Sequence, residues 1–193
     1  MVHSLERDVA KKKQPAIQDE AALSQHLEEF RGPSARGMVL AANSYIDAGL
    51  AEILADNLKD LDKDQSKAIF EEESGALASL SRKINMAHAL GLISKELRVV
   101  LHALRKVRNS FAHNVVVSFD DKALSASVLA NYETHFVQPF PAALKHPDYA
   151  TARECYQHMC NHVVTMILGR SVAKDFGLAD RTTRMTVLPY FTT

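Results

Sequence analysis

The sequence has no tryptophan, only two cysteines, and just seven glycines and six prolines in 193 residues. Leu and Ala dominate instead, and β-branched residues gather only near Val115, Val116 and Val117. That composition favours helices over strands. Cys155 and Cys160 are five residues apart, which turns them to different faces of a helix and makes a bridge between them poor geometry. Neither sign of charge is in excess, since 23 Lys and Arg balance 23 Asp and Glu. Nucleic-acid scaffolds usually carry a basic surplus because phosphate neutralisation dominates their affinity, so a nucleic-acid site here has to be a local patch. The one dense basic run, Lys11-Lys12-Lys13, reads as part of a solvated arm. There is no secretory apolar segment and no apolar run that reads as a membrane span, so the expected compartment is the cytoplasm, with no membrane partner.

Standard chemical motifs are missing as well. There is no Walker loop, no GxGxxG and no GxSxG. No helix pair has the polar second helix of a helix-turn-helix. The acidic stretches at 60–64 and 71–73 lack the spacing of a calcium loop. No cofactor is expected.

What is present is a helical period. Hydrophobic residues make up 47% of the chain, enough for a sizeable core. The expected fold is all-α, a single-domain helical bundle over 18–177, with an arm at 1–17 and a tail at 178–193. Asp19 caps a first helix to Arg31, which Gly32-Pro33 ends. Ser34 starts a longer helix to about Leu58, with Met38, Val39, Ala42, Ile46, Leu50, Ile53 and Leu54 on its apolar positions. A short helix is expected over 65–70 and another over 76–90, closed by Gly91 as its left-handed residue. Ser94 caps a helix over 95–112. Residues 115–119 are a short extended connector or half of a β hairpin. Residues 122–132 fit no single pattern. Pro139 and Pro141 exclude a continuous helix where they stand, and a last long helix is expected over 150–175.

One residue breaks this pattern. Leu97, Leu101, Leu104 and Phe111 form a stripe, and Arg108 falls in its middle. A guanidinium there needs a counter-charge, a phosphate or solvent. The structural reading pairs Arg108 with Asp47 or Glu52 on a neighbouring helix and lets His113 and Asn114 cap the helix end. The chemical reading makes Arg108 a phosphate holder and His113 a general acid or base, with Asn109 orienting either. A second cluster is Cys155, His158 and His162, which share one helical face. Cys160 is off that face and no other Cys/His pair completes a tetrahedron, so packing explains them better than a metal.

The stretch Phe70-Glu71 … Gly75-Ala76-Leu77 … Lys83-Ile84 … Ala89-Leu90-Gly91-Leu92-Ile93 … Leu104-Arg105-Lys106-Val107-Arg108-Asn109-Ser110-Phe111-Ala112-His113 resembles the mannitol-repressor-like family of bacterial helical proteins, in the branch with an RNxFAH ending. The resemblance runs from about Phe30 to Asn114. It implies a helical protein of transcriptional regulation that has no DNA-binding module and acts through a protein partner. Together with the balanced charge and the missing enzyme motifs, this gives a non-enzymatic regulator, expected to be dimeric; an immunity or antitoxin protein, also a compact helical binder, fits the same residues. The same six residues resemble the signature of HEPN-domain ribonucleases, helical bundles whose sites form across a dimer. That alternative implies metal-independent RNA cleavage by Arg108 and His113, with Asn109 as the polar residue after the arginine. Val115 departs from it, because many active members have Tyr at that place.

Overall fold

The computed structural model describes residues 34–58, 61–137 and 151–175. The expected first helix, the arm, the tail and the Pro139–Pro141 segment lie outside these. Among the described residues there are six α-helices and no β-strand: α1 (Ala35–Asn57), α2 (Lys63–Phe70), α3 (Leu80–Ala89), α4 (Lys95–His113), α5 (Lys122–Tyr132) and α6 (Ala152–Asp175). A single π turn, Glu133–Val137, extends α5. The all-α bundle is as expected.

Side-chain oxygens set the helix starts. Ser34 accepts from the Gly37 N–H and Ser94 from the Leu97 N–H. Asp62 and Gln65 form a reciprocal capping box, so α2 starts at Lys63, earlier than the apolar pattern suggests. Asp121 accepts from the Ala123 and Leu124 N–H groups and makes a helix of the unassigned segment 122–132. Gly91, at φ 72°, ends α3 as expected: its N–H donates to His88 and that of Leu92 to Ala87.

One expectation is corrected, and one alternative is decided. The helix placed over 76–90 begins only at Leu80, because the Leu77 N–H donates to the Ile69 carbonyl and folds the preceding turn back onto α2. Gly75 makes that turn possible, since a Cβ there would lie 2.6 Å from the carbonyl oxygens of Ala68 and Ile69. Residues 115–119 are a connector and not a hairpin. Phe119 is buried in that connector, whereas Val115 and Val116 are each 93% exposed.

Helix α1 is the spine, packed against α3, α4 and α6. By length and composition it is also apolar enough to cross a membrane, contrary to the reading from sequence. In this structure its apolar face, including Met38, Val39, Ile46, Leu50 and Leu54, is spent on the core instead. Gly49 brings α1 and α6 into close contact, where an added Cβ would sit 2.2 Å from Ile167 Cγ2. Phe111, Phe119 and Tyr156 form a tilted aromatic row with centroids 5.0 and 5.4 Å apart, joining α4 and α6 through the connector.

Candidate functional site

A cleft of about 350 Å³ opens where α1, α3 and α4 meet. Helix α1 contributes Asn43, Ser44 and Asp47. Ser79, Leu80 and Ser81 bring the N-terminal end of α3 to a second wall. Arg105, Arg108 and Asn109 of α4 form the third. Helix α4 holds Lys95, Arg98, Arg105, Lys106 and Arg108 against one acid, Glu96. The balanced charge of the chain therefore conceals a basic helix. Burial, with Arg105, Arg98 and Lys106 nearby, holds His102 on that helix below the ordinary value for histidine.

The structure places Arg108 at the edge of the packed stripe and not in its middle. Val100 and Val107 complete the buried face with Leu97, Leu101, Leu104 and Phe111. Arg108 is half-buried, and its Nη1 lies 3.3 Å from Asn109 Oδ1. It has no ion pair with Asp47 or Glu52. Lys83 holds Asp47 instead, with Nζ 2.8 Å from Oδ2. The lysine side chain is 5% exposed and the carboxylate 37%. Glu52 is exposed on α1 and lies outside the cleft.

His113 is exposed at the end of α4 and does not line the cleft that holds Arg108 and Asn109. Five residues along a helix turn two side chains about 140° apart. The helix end is capped from elsewhere: Arg36 of α1 donates to the carbonyls of Phe111, Asn114 and Val115. Asn114 closes the last turn with its amide on the Ser110 carbonyl at 2.9 Å. His113 makes neither contact.

On α6, Cys155 and Cys160 are buried in the core and form no disulfide. Burial pushes the Cys160 thiol up to about 12, against a smaller opposing effect of the Tyr156 hydroxyl, which leaves it inert as a nucleophile. The Tyr132 hydroxyl lies 3.0 Å from His158 Nδ1. Burial lowers the His162 pKa. Asn43 donates to Tyr156 Oη at 2.7 Å and to the Val39 carbonyl at 3.0 Å, tying α1 to α6 beneath the cleft.

With this geometry in hand, the chain can be set beside known proteins. No family model matches it. No curated protein matches it either. A solved structure does. A chain in the X-ray structure of the MtlR-HPr complex from Escherichia coli superposes with a TM-score of 0.57 at 15% identity. The match covers 77% of this chain and 99% of that one. At that identity the likeness is one of fold.

Asn43, which lines the cleft, and Lys83, which pairs with the cleft's Asp47, are polar residues that the sequence reading did not single out. Lys83 is three residues after Leu80 and four before Ala87, so the period already places it inward. Asn43 falls between Val39 and Ile46 in the same way. A polar residue at an apolar position was the available signal for both.

Proposed function

We propose that this chain is a non-enzymatic helical regulator of the mannitol-repressor-like kind, dimeric, and acting through a protein partner to control transcription. The observation that carries this reading is the shared fold with a chain solved in complex with HPr. The basic helix α4 and the exposed Val115–Val116 pair support it, because they offer charge and apolar surface beside one another. An immunity or antitoxin role would use the same binding surface and differ in the partner.

The test is calorimetric titration of the full chain with purified HPr, with light scattering to read its own oligomeric state. Saturable binding that weakens with salt supports the reading. A monomer that binds neither HPr nor any protein made by its own host, in a tagged pull-down identified by mass spectrometry, removes it. The nuclease alternative rests on Arg108 and Asn109 facing an open cleft. It needs a second copy to bring His113 to that cleft. RNA cleavage that survives EDTA, and that Arg108→Ala and His113→Ala both abolish without loss of fold, would replace the regulator with that alternative.

A further inference from the structure

We propose that the outer face of α3 and α4 is a docking surface for a second copy of this chain, and that it receives the acidic turn Glu71–Glu73 of that copy. The inference deepens the dimeric part of the reading above and rests on it.

From Ser79 to His113 the chain carries seven Lys and Arg against one acid, Glu96. Lys83 is spent on Asp47. Arg82, Lys95, Arg98, Arg105, Lys106 and Arg108 have no carboxylate within ion-pair distance among the described residues. The start of α3 and the last turns of α4 line one cleft, and Asn85 Oδ1 lies 3.1 Å from His102 Nε2. The two helices therefore run antiparallel, with Arg82 alongside Arg105. Arg98, Arg105 and Lys106 are each three or four residues from His102, so they share its side of α4, where like charges repel. On α3, Arg82, Met86 and Leu90 follow at intervals of four and form one stripe. Met86 is 38% and Leu90 45% exposed. The face thus sets apolar area beside unspent positive charge, and Arg and Met are the residues that protein interfaces favour.

The complementary charge stands next to this face in the same chain. Arg82 Nη1 donates to the Gly75 carbonyl at 2.9 Å, which fastens the turn bearing Glu71, Glu72 and Glu73 to the start of α3. All three glutamates are exposed, and none pairs with a cation among the described residues. A patch that lies beside its own complement is self-complementary about a two-fold axis. Rotation about an axis between the two sets each on its opposite in the second copy, and the contact is made twice. Both runs of like charge, left unpaired within one chain, are answered at once. A nucleic-acid strand fits less well, because phosphates that follow the basic face would meet these carboxylates. A foreign acidic protein would answer the basic face and leave Glu71–Glu73 as they are.

The experiment is sedimentation equilibrium of the full chain. We expect a dimer with a Kd below about 10 μM at about 0.05 M salt, weakened about tenfold or more at about 0.5 M. Two variants each reverse one patch: Arg105→Glu with Lys106→Glu, and Glu71→Lys with Glu72→Lys and Glu73→Lys. None of these positions is buried, and melting temperatures close to that of the wild type check the folds. Each variant alone should be a monomer. The two mixed should form a one-to-one heterodimer, because acid then meets base at both contacts. A wild type that is monomeric at about 0.1 mM, a dimer that neither salt nor the variants weaken, or mixed variants that stay apart would overturn the proposal. So would single-stranded RNA that binds a monomeric wild type but not the Arg105→Glu, Lys106→Glu variant. HPr titrations of the same samples keep the two readings apart: HPr bound by a wild type that stays monomeric removes this inference and leaves the partner reading, while a salt-sensitive dimer that ignores HPr does the reverse.

Discussion

Lys83 and Asp47 close an ion pair at 2.8 Å between α3 and α1, and the two partners are unequally covered: the ammonium is buried, the carboxylate more than a third open. That asymmetry sets the order of two mutational effects. Asp47→Ala strands a buried ammonium and should cost about 3 kcal/mol. Lys83→Met leaves a carboxylate that water can still reach and restores apolar packing, so it should cost about 1 kcal/mol or less. Urea denaturation of both variants checks the order. Equal losses, or a greater loss from Lys83→Met, would show that the pair is not what holds α3 against α1.

The arginine at the start of α1 makes a local prediction. Arg36→Met keeps the aliphatic stem but withdraws donors from the carbonyls of Phe111, Asn114 and Val115. Loss of stability should be about 1–3 kcal/mol. Amide hydrogen exchange should speed up first in the last turn of α4. Uniform acceleration across all helices would instead point to a global role.

Gly49 should tolerate no side chain while Ile167 is opposite it. Gly49→Ala gains helix propensity, yet its new methyl would fall 2.2 Å from Ile167 Cγ2, and the net effect should be a loss of about 1–3 kcal/mol. In Gly49→Ala with Ile167→Ala, the combined loss should be smaller than the sum of the two single losses, as expected for residues in direct contact. Strict additivity in thermal melts would contradict the close α1–α6 approach.

Stability should fall on mild acidification. His102 and His162 are both held below 6.5, His162 by burial and His102 by burial first and then by its arginine and lysine neighbours. The unfolded chain therefore takes up protons before the folded one does. The contribution of these residues is complete above the unfolded value, and is lost as pH drops through it toward the folded values. Melting temperatures measured from about pH 7.5 to about pH 5.5 should decline, and His162→Gln should flatten that decline. A steeper slope in the variant would reverse the sign assigned here.

Much of the fold could be read from local chemistry. Ser34, Ser94 and Gly91 mark helix ends through bonds that involve only near neighbours, and the apolar period of α1 and α4 is complete within each segment. The start of α3 could not be read, because it depends on Leu77 bonding back to Ile69 across a turn that Gly75 lets pack closely. In the site, Arg108 was legible as an anomaly, but its missing partner was not. Which cation takes Asp47 is decided by how α3 docks on α1, and the period of α4 says nothing about that. Arg36 capping a helix that ends some 75 residues later is likewise a property of the assembled bundle.

The placement of α1 bears on how the chain is made. Synthesis proceeds at roughly 5–20 residues per second. Helix α1 emerges early, but α6, one of the helices that cover it, follows only about a hundred residues later. For some seconds the most apolar described helix has no completed groove to occupy, and local helix formation cannot by itself hide its face. A nascent chain stalled before Ala152 should therefore be a substrate for holdase chaperones, and release should coincide with the appearance of Tyr156 and Ile167, which meet α1 at Asn43 and Gly49.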